Sequence, residues 1–320
     1  MVDRSNGEPR YPVRVVISRT GLTADLLRAW ERRYGAVKPQ RSAGKQRLYS
    51  EDDVARLTLL RRATIAGHSV AEIARLDRFA LEALVDEPTP ARLRPPDEAI
   101  EAVVSAATNA AERLDAAGVE SALKRGALSF GAGALIDHVV SRFLHRVGER
   151  WHEGRLSPAH EHLASAAVRR VLAWTTEAYN PSPRAPRLVV ATPSGERHEF
   201  GAMLTAAAAV EEGWRVVYLG PSLPAAHIVD AAKQVNARAI ALSVVYASGA
   251  EMDDVYTTAQ TLPRGMTLIV GGAAADSHRD SLGEAGAVVV PDMTAFRRTL
   301  RSLRASTRIE EHEATTTDAE

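Results

Sequence analysis

The chain has 320 residues, 45% hydrophobic and 25% charged, with 40 Lys and Arg balanced by 40 Asp and Glu and no cysteine. This is an ordinary globular composition with room for two or three domains, and it excludes disulfides and thiolate metal sites. No apolar run approaches the ~20 residues that span a bilayer, and the first residues are polar and broken by Arg and Pro rather than built as a signal peptide, so a cytoplasmic protein is expected.

Charge is unevenly spread: residues 1–80 hold 16 Lys and Arg against 9 Asp and Glu, an excess of seven that the remainder cancels. A basic end on a neutral chain points to an anionic partner for that end. Residues 1–10 carry no periodicity and read as a flexible lead. Val13 to Arg19 then predicts a short helical turn, Thr20-Gly21-Leu22 a tight turn, and Thr23 the N-cap of a helix running to about Tyr34. That is a helix-turn-helix. Between Gly35 and Tyr49, a turn at Ser42 to Lys45 separates two short extended segments, which predicts a wing. Ser50-Glu51-Asp52-Asp53 opens the next helix with acids at its positive end, and Leu57, Leu60, Ile65, Val70, Ile73 and Leu76 form an apolar stripe behind the wing. The series Arg28, Trp30, Arg32, Arg33, Tyr34, Arg41, Lys45, Arg47 and Tyr49 spans the second helix and the wing. Trp30 is expected in the core. Arg28 and Arg32 share a helical face able to enter a major groove, with the wing along phosphates, so Arg28, Arg32, Arg33, Tyr34, Arg41, Arg47 and Tyr49 are the candidate DNA-binding residues. The block Leu27 to Gly35, followed by Arg47-Leu48-Tyr49-Ser50, resembles the MerR-type winged helix. In place of the Gly-His usual in that wing turn, this chain has Lys45-Gln46, which bears on operator preference.

No sustained heptad follows. The sequence breaks at Asp86 to Pro90 and again at Pro95-Pro96, so residues 86–96 read as a linker and dimerisation must be handled elsewhere. Four helices are predicted at roughly 97–108, 117–129, 132–151 and 158–179, then a second linker at Asn180 to Pro186. Gly154 is expected as the left-handed cap of the third helix, and Ser157-Pro158 as the start of the fourth. Trp151 and His152 therefore end one helix, with Glu161 and His162 one turn into the next. Beyond Pro186, β-type runs near 187–192, 215–219, 239–245, 266–271 and 287–290 alternate with helices, which implies a doubly wound α/β domain with a parallel sheet. The expected domains are thus a winged helix-turn-helix (11–80), a four-helix bundle (97–180) and an α/β domain (186–305). The polar, acidic tail from about Ser306 is expected to be disordered.

Glu196-Arg197-His198-Glu199-Phe200-Gly201 sits between the first predicted strand of the α/β domain and the helical run that follows, where open sheets bind their ligands. His198 is a candidate metal ligand, with Glu196 placed to accept its other ring N–H. Ser243-Val244-Val245 lies 42 positions after Gly201 and Gly271-Gly272 lies 26 after Val245, each closing a predicted strand. This spacing resembles the cobalamin-binding pattern DxHxxG, SxL, GG of methionine synthase and related corrinoid proteins, with Glu196 in place of Asp and Val245 in place of Leu. The resemblance implies that His198 is the lower ligand of cobalt and that Gly201, Ser243, Val245, Gly271 and Gly272 receive the displaced nucleotide tail.

Trp151, nine residues, then Glu161-His162 resembles the cap of the CarH/LitR photoreceptor family, and the domain order agrees from about residue 11 to 305. That resemblance implies adenosylcobalamin as cofactor, with Trp151, Glu161 and His162 around its adenosyl face and His152 as the upper cobalt ligand after light. It further implies a light-responsive repressor, not an enzyme. In the dark it would be a homotetramer on operator DNA, and light would break it into smaller species, releasing carotenoid or other photoprotection genes. A light-independent sensor of cobalamin level is the alternative. A corrinoid enzyme would need a substrate barrel of ~200 to 250 residues, for which the chain has no room.

Overall fold

A computed structural model of the chain describes residues 8–42, 46–65, 68, 70–86, 95–179, 181–246 and 249–317. The wing-turn residues 43–45, residues 87–94 of the expected linker, residues 1–7 of the lead and the last three residues of the tail lie outside the described residues. The chain divides into two compact units, Met1–Tyr179 and Asn180–Glu320.

In the first unit, β1 (Tyr11–Pro12), β2 (Gln40–Arg41) and β3 (Arg47–Tyr49) form an antiparallel sheet in the order β1-β3-β2. The wing is present, and the first residues of the expected winged-helix domain supply a third strand to it through Tyr11 opposite Tyr49. α1 (Val13–Thr20) and α2 (Ala24–Ala29) are the helix-turn-helix, with Thr23 Oγ1 accepting from the Leu26 N–H at 3.3 Å. The helix expected to run to Tyr34 changes period at Trp30 into a π turn, Trp30–Tyr34. α3 (Glu51–Ile65) opens on a reciprocal cap in which Ser50 Oγ accepts from Asp53 N (3.1 Å) and Asp53 Oδ2 accepts from Ser50 N (2.9 Å). α4 (Val70–Ile73) is followed by α5 (Arg78–Asp86), a helix that no sequence feature announced. Leu81 of α5 is fully buried with Leu57 and Leu60 of α3, Trp30 and Tyr49, so one apolar core closes the winged helix.

The bundle follows. α6 (Asp97–Glu112) and α7 (Ala116–Phe130) come where helices are expected. The third predicted helix is interrupted: α8 (Ala132–Ala134), a π turn at Leu135–Val140 and α9 (Ser141–His152) replace one continuous helix. α9 faces α6 through a ladder of ion pairs, Arg142 to Asp97 (2.9 Å), Arg146 to Glu101 (2.6 Å) and Arg150 to Glu112. Hydrogen bonds from Arg146 and then Ser105 hold the Glu101 carboxyl down at about 2. The ladder sets register more than stability, since exposed pairs contribute about 1 kcal/mol at most. α9 ends in a Schellman turn, with Gly154 N bonded to Trp151 O (2.9 Å) and Arg155 N to Arg150 O (2.9 Å). α10 (Pro158–Thr176) starts at Ser157 with Pro158 in its first turn.

The second unit is a five-stranded parallel sheet of β4 (Arg187–Pro193), β5 (Arg215–Leu223), β6 (Ala239–Ser243), β7 (Thr267–Gly271) and β8 (Val288–Val290), in the order β5-β4-β6-β7-β8. α11 (Phe200–Glu211), α12 (Ala225–Gln234), α13 (Gly249–Thr261), α14 (Arg279–Glu284) and α15 (Met293–Thr317) provide the crossovers and the closing helix. β4 and β6 are buried along almost their whole length, as strands covered on both faces must be. The strand order reverses beside β4, so the loop after β4 opens at the switch point where such sheets bind ligands.

Three boundaries differ from expectation. β6 stops at Ser243 instead of running to residue 245, because the N–H groups of Val245 and Tyr246 turn away to a carboxylate. β5 continues to Leu223 through register shifts opposite Val190 to Pro193. α15 carries the chain in helical form to Thr317, where disorder was expected from Ser306; its docked first half, whose Arg301 donates to Glu212 at 2.7 Å, precedes a continuation that includes the helix formers Glu310, Glu311, Glu313 and Ala314.

The turn after β7 demands glycine at 272. Its φ is +110°, and a Cβ there would lie 2.2 Å from the Val244 carbonyl oxygen, so backbone would meet side chain. Gly272→Ala is expected to destabilise the second unit by about 1–3 kcal/mol or more, read as a lowered denaturation midpoint with an unchanged slope; an unchanged midpoint would contradict this packing.

Candidate functional site

The loop after β4 is held from several sides. Glu196 N donates to Pro193 O (3.1 Å), Thr192 Oγ1 donates to Glu196 O (2.5 Å), and Ser194 N donates to Asp254 Oδ2 of α13 (3.0 Å). The same Thr192 Oγ1 accepts from Ser222 N at 2.8 Å, tying in the end of β5.

At the centre of this frame is the Glu196 carboxylate, 2% exposed. Oε1 accepts from His198 N (2.8 Å) and lies 2.6 Å from His198 Nδ1; Oε2 accepts from Val245 N (2.8 Å) and Tyr246 N (2.9 Å). Burial alone would raise the pKa of this carboxyl, but the Tyr246 N–H, the His198 N–H and ring, and the Val245 N–H outweigh it and hold the group below its ordinary value. A carboxylate can only accept, so Nδ1 of His198 carries the hydrogen, and in the neutral imidazole the lone pair then sits on Nε2. The His198 side chain is 58% exposed, and Nε2 has no partner among the described residues. Its ring leans on Tyr246, with centroids 4.7 Å apart at 52°. No three His, Asp or Glu converge as a metal cage among the described residues. Among the described residues His198 is therefore suited to serve as a single ligand of an ion carried by another group.

Beside it opens a slot of about 140 Å³ between α11 and the ends of β6, β7 and β8, lined by Gly201, Thr205, Ser243, Gly271, Gly272 and Phe296 among others. A Cβ at Gly201 would lie 2.3 Å from Ser243 Oγ, so a side chain there would displace the serine that lines the slot. The sequence motif is thus brought together in space: carboxylate, imidazole, small residues and hydroxyl share the carboxyl end of the sheet. Val245 takes part differently from expectation, through its backbone N–H rather than as a wall of the slot. Tyr246 was missed, since its contact with His198 depends on a loop conformation that leaves no periodic signal. An imidazole with a free, oriented Nε2 beside a slot of small residues fits a corrinoid whose cobalt takes one protein ligand and whose tail is buried separately.

In the first unit, Trp151 and His152 stack with centroids 5.0 Å apart, and Trp151 is 43% exposed. Glu161 Oε2 lies 2.6 Å from His162 Nδ1, and its Oε1 accepts from Ser165 Oγ at 2.5 Å. Each pair is formed, and no hydrogen bond or ring contact joins one pair to the other among the described residues.

On the winged helix, Arg28, Arg32, Arg33 and Arg41 are exposed and Tyr34 is half-buried. Arg47 is half-buried, with Nε 3.0 Å from Glu31 Oε2. Tyr49 is a correction. Expected on the DNA-facing surface, its side chain is fully buried and its hydroxyl donates to Glu31, so it braces the wing against the second helix and does not reach a ligand. Burial and then that bond raise its pKa further beyond the ordinary phenol range.

Residues 11–79 match the MerR HTH family regulatory protein model, and residues 97–175 and 186–299 each match a B12 binding domain model. The HTH-type transcriptional repressor CarH of Myxococcus xanthus is 34% identical over 278 residues, covering 85% of this chain and 92% of that protein. The repressor CarA of the same organism is 32% identical over 282 residues, covering 86% and 91%. The chain belongs to the CarH family. It is a MerR-type regulator with B12-binding domains, and its family is one of transcriptional repressors rather than enzymes. Among solved structures, the monomethylamine corrinoid protein of Methanosarcina barkeri covers 63% of this chain and 99% of its own at 16% identity and a TM-score of 0.50, a likeness of fold alone. No helix of the described residues is long and apolar enough to cross a membrane.

Glu196→Gln tests the carboxylate in this frame. An amide NH2 would oppose two of the four N–H groups, which is expected to lower stability by about 1–3 kcal/mol near neutral pH. Because folding lowers the Glu196 pKa below the ordinary carboxylate value of 4.5, its contribution is present above 4.5 and is lost as pH falls through the lower folded value. Denaturant titrations should therefore show the gap between wild type and variant narrowing on acidification, and a constant gap would contradict the assignment.

Proposed function

We propose that this regulator is a light-responsive repressor that binds adenosylcobalamin in the dark, assembles as a homotetramer on operator DNA in the cytoplasm, and falls into smaller species off the DNA in light. The cofactor reading rests on the Glu196–His198 pair, a buried carboxylate that fixes Nδ1–H and leaves Nε2 exposed beside the slot at Gly201 and Ser243. When bound, adenosylcobalamin supplies a light-labile cobalt–carbon bond.

The remaining work falls to side chains of this chain. His198 would hold the cobalt, and Glu196 would sustain its basicity and orientation. Gly201, Ser243, Gly271 and Gly272 receive the nucleotide tail, with Val245 holding the loop above them. Trp151, Glu161 and His162 would surround the adenosyl group, and His152, its ring against Trp151, would be the residue available to hold cobalt once that group is gone. Arg28, Arg32 and Arg33 enter the major groove, with Tyr34 beside them, while Arg41 and Arg47 of the wing follow the phosphates. No heptad repeat supports a coiled coil after the head, so tetramer formation supplies affinity through effective concentration. A swing from nearly full to nearly empty operator needs about 5.5 kcal/mol between the two states, which loss of multivalency provides.

Gel filtration with absorbance detection, on protein mixed with adenosylcobalamin in darkness and after green light, tests this reading. A coloured tetramer that collapses on illumination is expected. Colour without a change of size would replace the photoreceptor with a light-independent cobalamin sensor, and no bound colour would sink the cofactor assignment. His152→Ala should still dissociate in light but show an altered light-state absorption spectrum; an unaltered one would remove His152 from its assigned place. Arg41→Ala should weaken binding to all DNA sequences alike and lower the salt slope by about one, whereas a loss confined to particular base pairs would put Arg41 on a base edge.

A further inference from the structure

One interaction within the first unit lies apart from the residues of either ligand site. Trp174, in the last turn of α10, is 7% exposed, and its indole N–H donates to the Gly21 carbonyl at 3.1 Å. Gly21 is the turn of the helix-turn-helix. It has φ +67°, and a Cβ there would lie 2.6 Å from the indole nitrogen, so both backbone and contact require glycine. Arg61 of α3 closes the arrangement. Its guanidinium lies 4.3 Å from the Trp174 ring centroid, Nη2 donates to Trp174 O (2.6 Å) and Nη1 donates to Thr20 O (3.2 Å). Burial lowers its pKa to about 10, against the opposing charge of Glu177, so the guanidinium stays charged near neutrality.

The contacts continue along the same helix end. Arg62 Nε donates to Ala178 O (2.9 Å), and the Tyr179 hydroxyl donates to Ile65 O (3.3 Å). The carbonyl of Trp174 lacks its helical partner, because Ala178 N bonds to Thr175 O instead. Two arginines of the winged helix thus satisfy carbonyls that the C-terminus of α10 leaves open, at the negative end of its dipole. These bonds bridge up to 153 residues of sequence, from Gly21 to Trp174.

The other end of the same helix carries Glu161 and His162, which the proposed function places on the adenosyl face. α10 has 19 residues, so it is a rod about 28 Å long. We propose that Arg61 and Trp174 are positioning residues that lock the helix-turn-helix to the C-terminal end of α10, so that a change at Glu161 and His162 is delivered to the DNA-binding turn. This rests on the proposed cofactor reading. It assigns to the indole, the guanidinium and Gly21 a coupling role distinct from contact with either ligand, because all three are turned into the unit and none touches a residue of the cofactor site.

The test is made on the full chain, wild type, Trp174→Phe and Arg61→Met, each in darkness with and without adenosylcobalamin. Two quantities are read: hydrogen exchange of the Leu22 to Leu27 amides, and affinity for a DNA fragment selected by the wild-type protein from a random pool. In wild type, adenosylcobalamin should slow exchange at the turn and change DNA affinity by on the order of tenfold or more. In the variants the protein should still take up colour and keep α10 protected, while the affinity ratio falls to about twofold or less and the turn no longer responds. Trp174→Phe retains an aromatic ring in the core and loses the N–H, which keeps the test open if Arg61→Met fails to fold. Variants that keep the full ratio, or a coloured wild type whose turn does not respond, would overturn the relay. A wild type that takes up no colour would instead overturn the cofactor reading, and the relay with it.

Discussion

The Glu196 carboxylate is the constraint on which the α/β site depends. A buried carboxylate needs donors on both oxygens, since leaving either unpaired costs several kcal/mol in a low-dielectric setting (about 2–7 for a neutral polar group, more for a charge). Here the donors come from two loops. His198 supplies two from the loop after β4, and Val245 and Tyr246 supply two from the loop after β6. That requirement ends β6 at Ser243, fixes the distance between neighbouring strand ends, and directs the imidazole. The site is therefore assembled by folding. A ligand arriving at Nε2 meets an oriented imidazole rather than one that must be ordered on binding.

Glutamate at 196, where aspartate is usual in the corrinoid motif, suits this arrangement. The additional methylene lets one oxygen remain with the His198 backbone and ring while the other reaches the Val245 and Tyr246 amides. The same side chain thereby works as an orienting partner of the histidine and as a tie between β4 and β6. Removing its charge should therefore disturb all four donors together, whereas removing the imidazole takes away one of them and leaves the backbone N–H groups of His198, Val245 and Tyr246 on the carboxylate.

Much of the architecture could be read from residue order because its physics is local. Alternating helical and β-type runs announce the winding of the sheet, Thr23 and Ser157-Pro158 announce helix starts, and Gly201, Ser243, Gly271 and Gly272 announce close approach through their small size. What escaped depends on contacts distant in sequence. Val245 contributes an amide that any residue but proline would supply, so its side chain gives no hint of its use. Tyr49 carries the aromatic and polar character of a wing contact, yet its place beside Leu57 and Trp30 puts it in the core. The π turns at Trp30–Tyr34 and Leu135–Val140 interrupt helices without a glycine or proline inside them, so no local breaker marks them. The bond from Arg61 to Trp174 spans 113 residues.

The arginines of the winged helix show why composition alone overstates its DNA-facing charge. Arg56 spends its guanidinium on the carbonyls of Ala36 (2.8 Å), Leu76 (2.8 Å) and Ala74 (2.6 Å), holding the ends of three segments together. Arg61 and Arg62 donate to the end of α10, and Arg19 pairs with Glu51. These cations stabilise the unit and offer phosphates little. Arg28, Arg32, Arg33 and Arg41 remain exposed on the second helix, its π turn and the wing, so the basic excess that a duplex would meet is concentrated there. The salt dependence of DNA binding should accordingly report a handful of phosphate contacts per head rather than the full positive count of the first eighty residues.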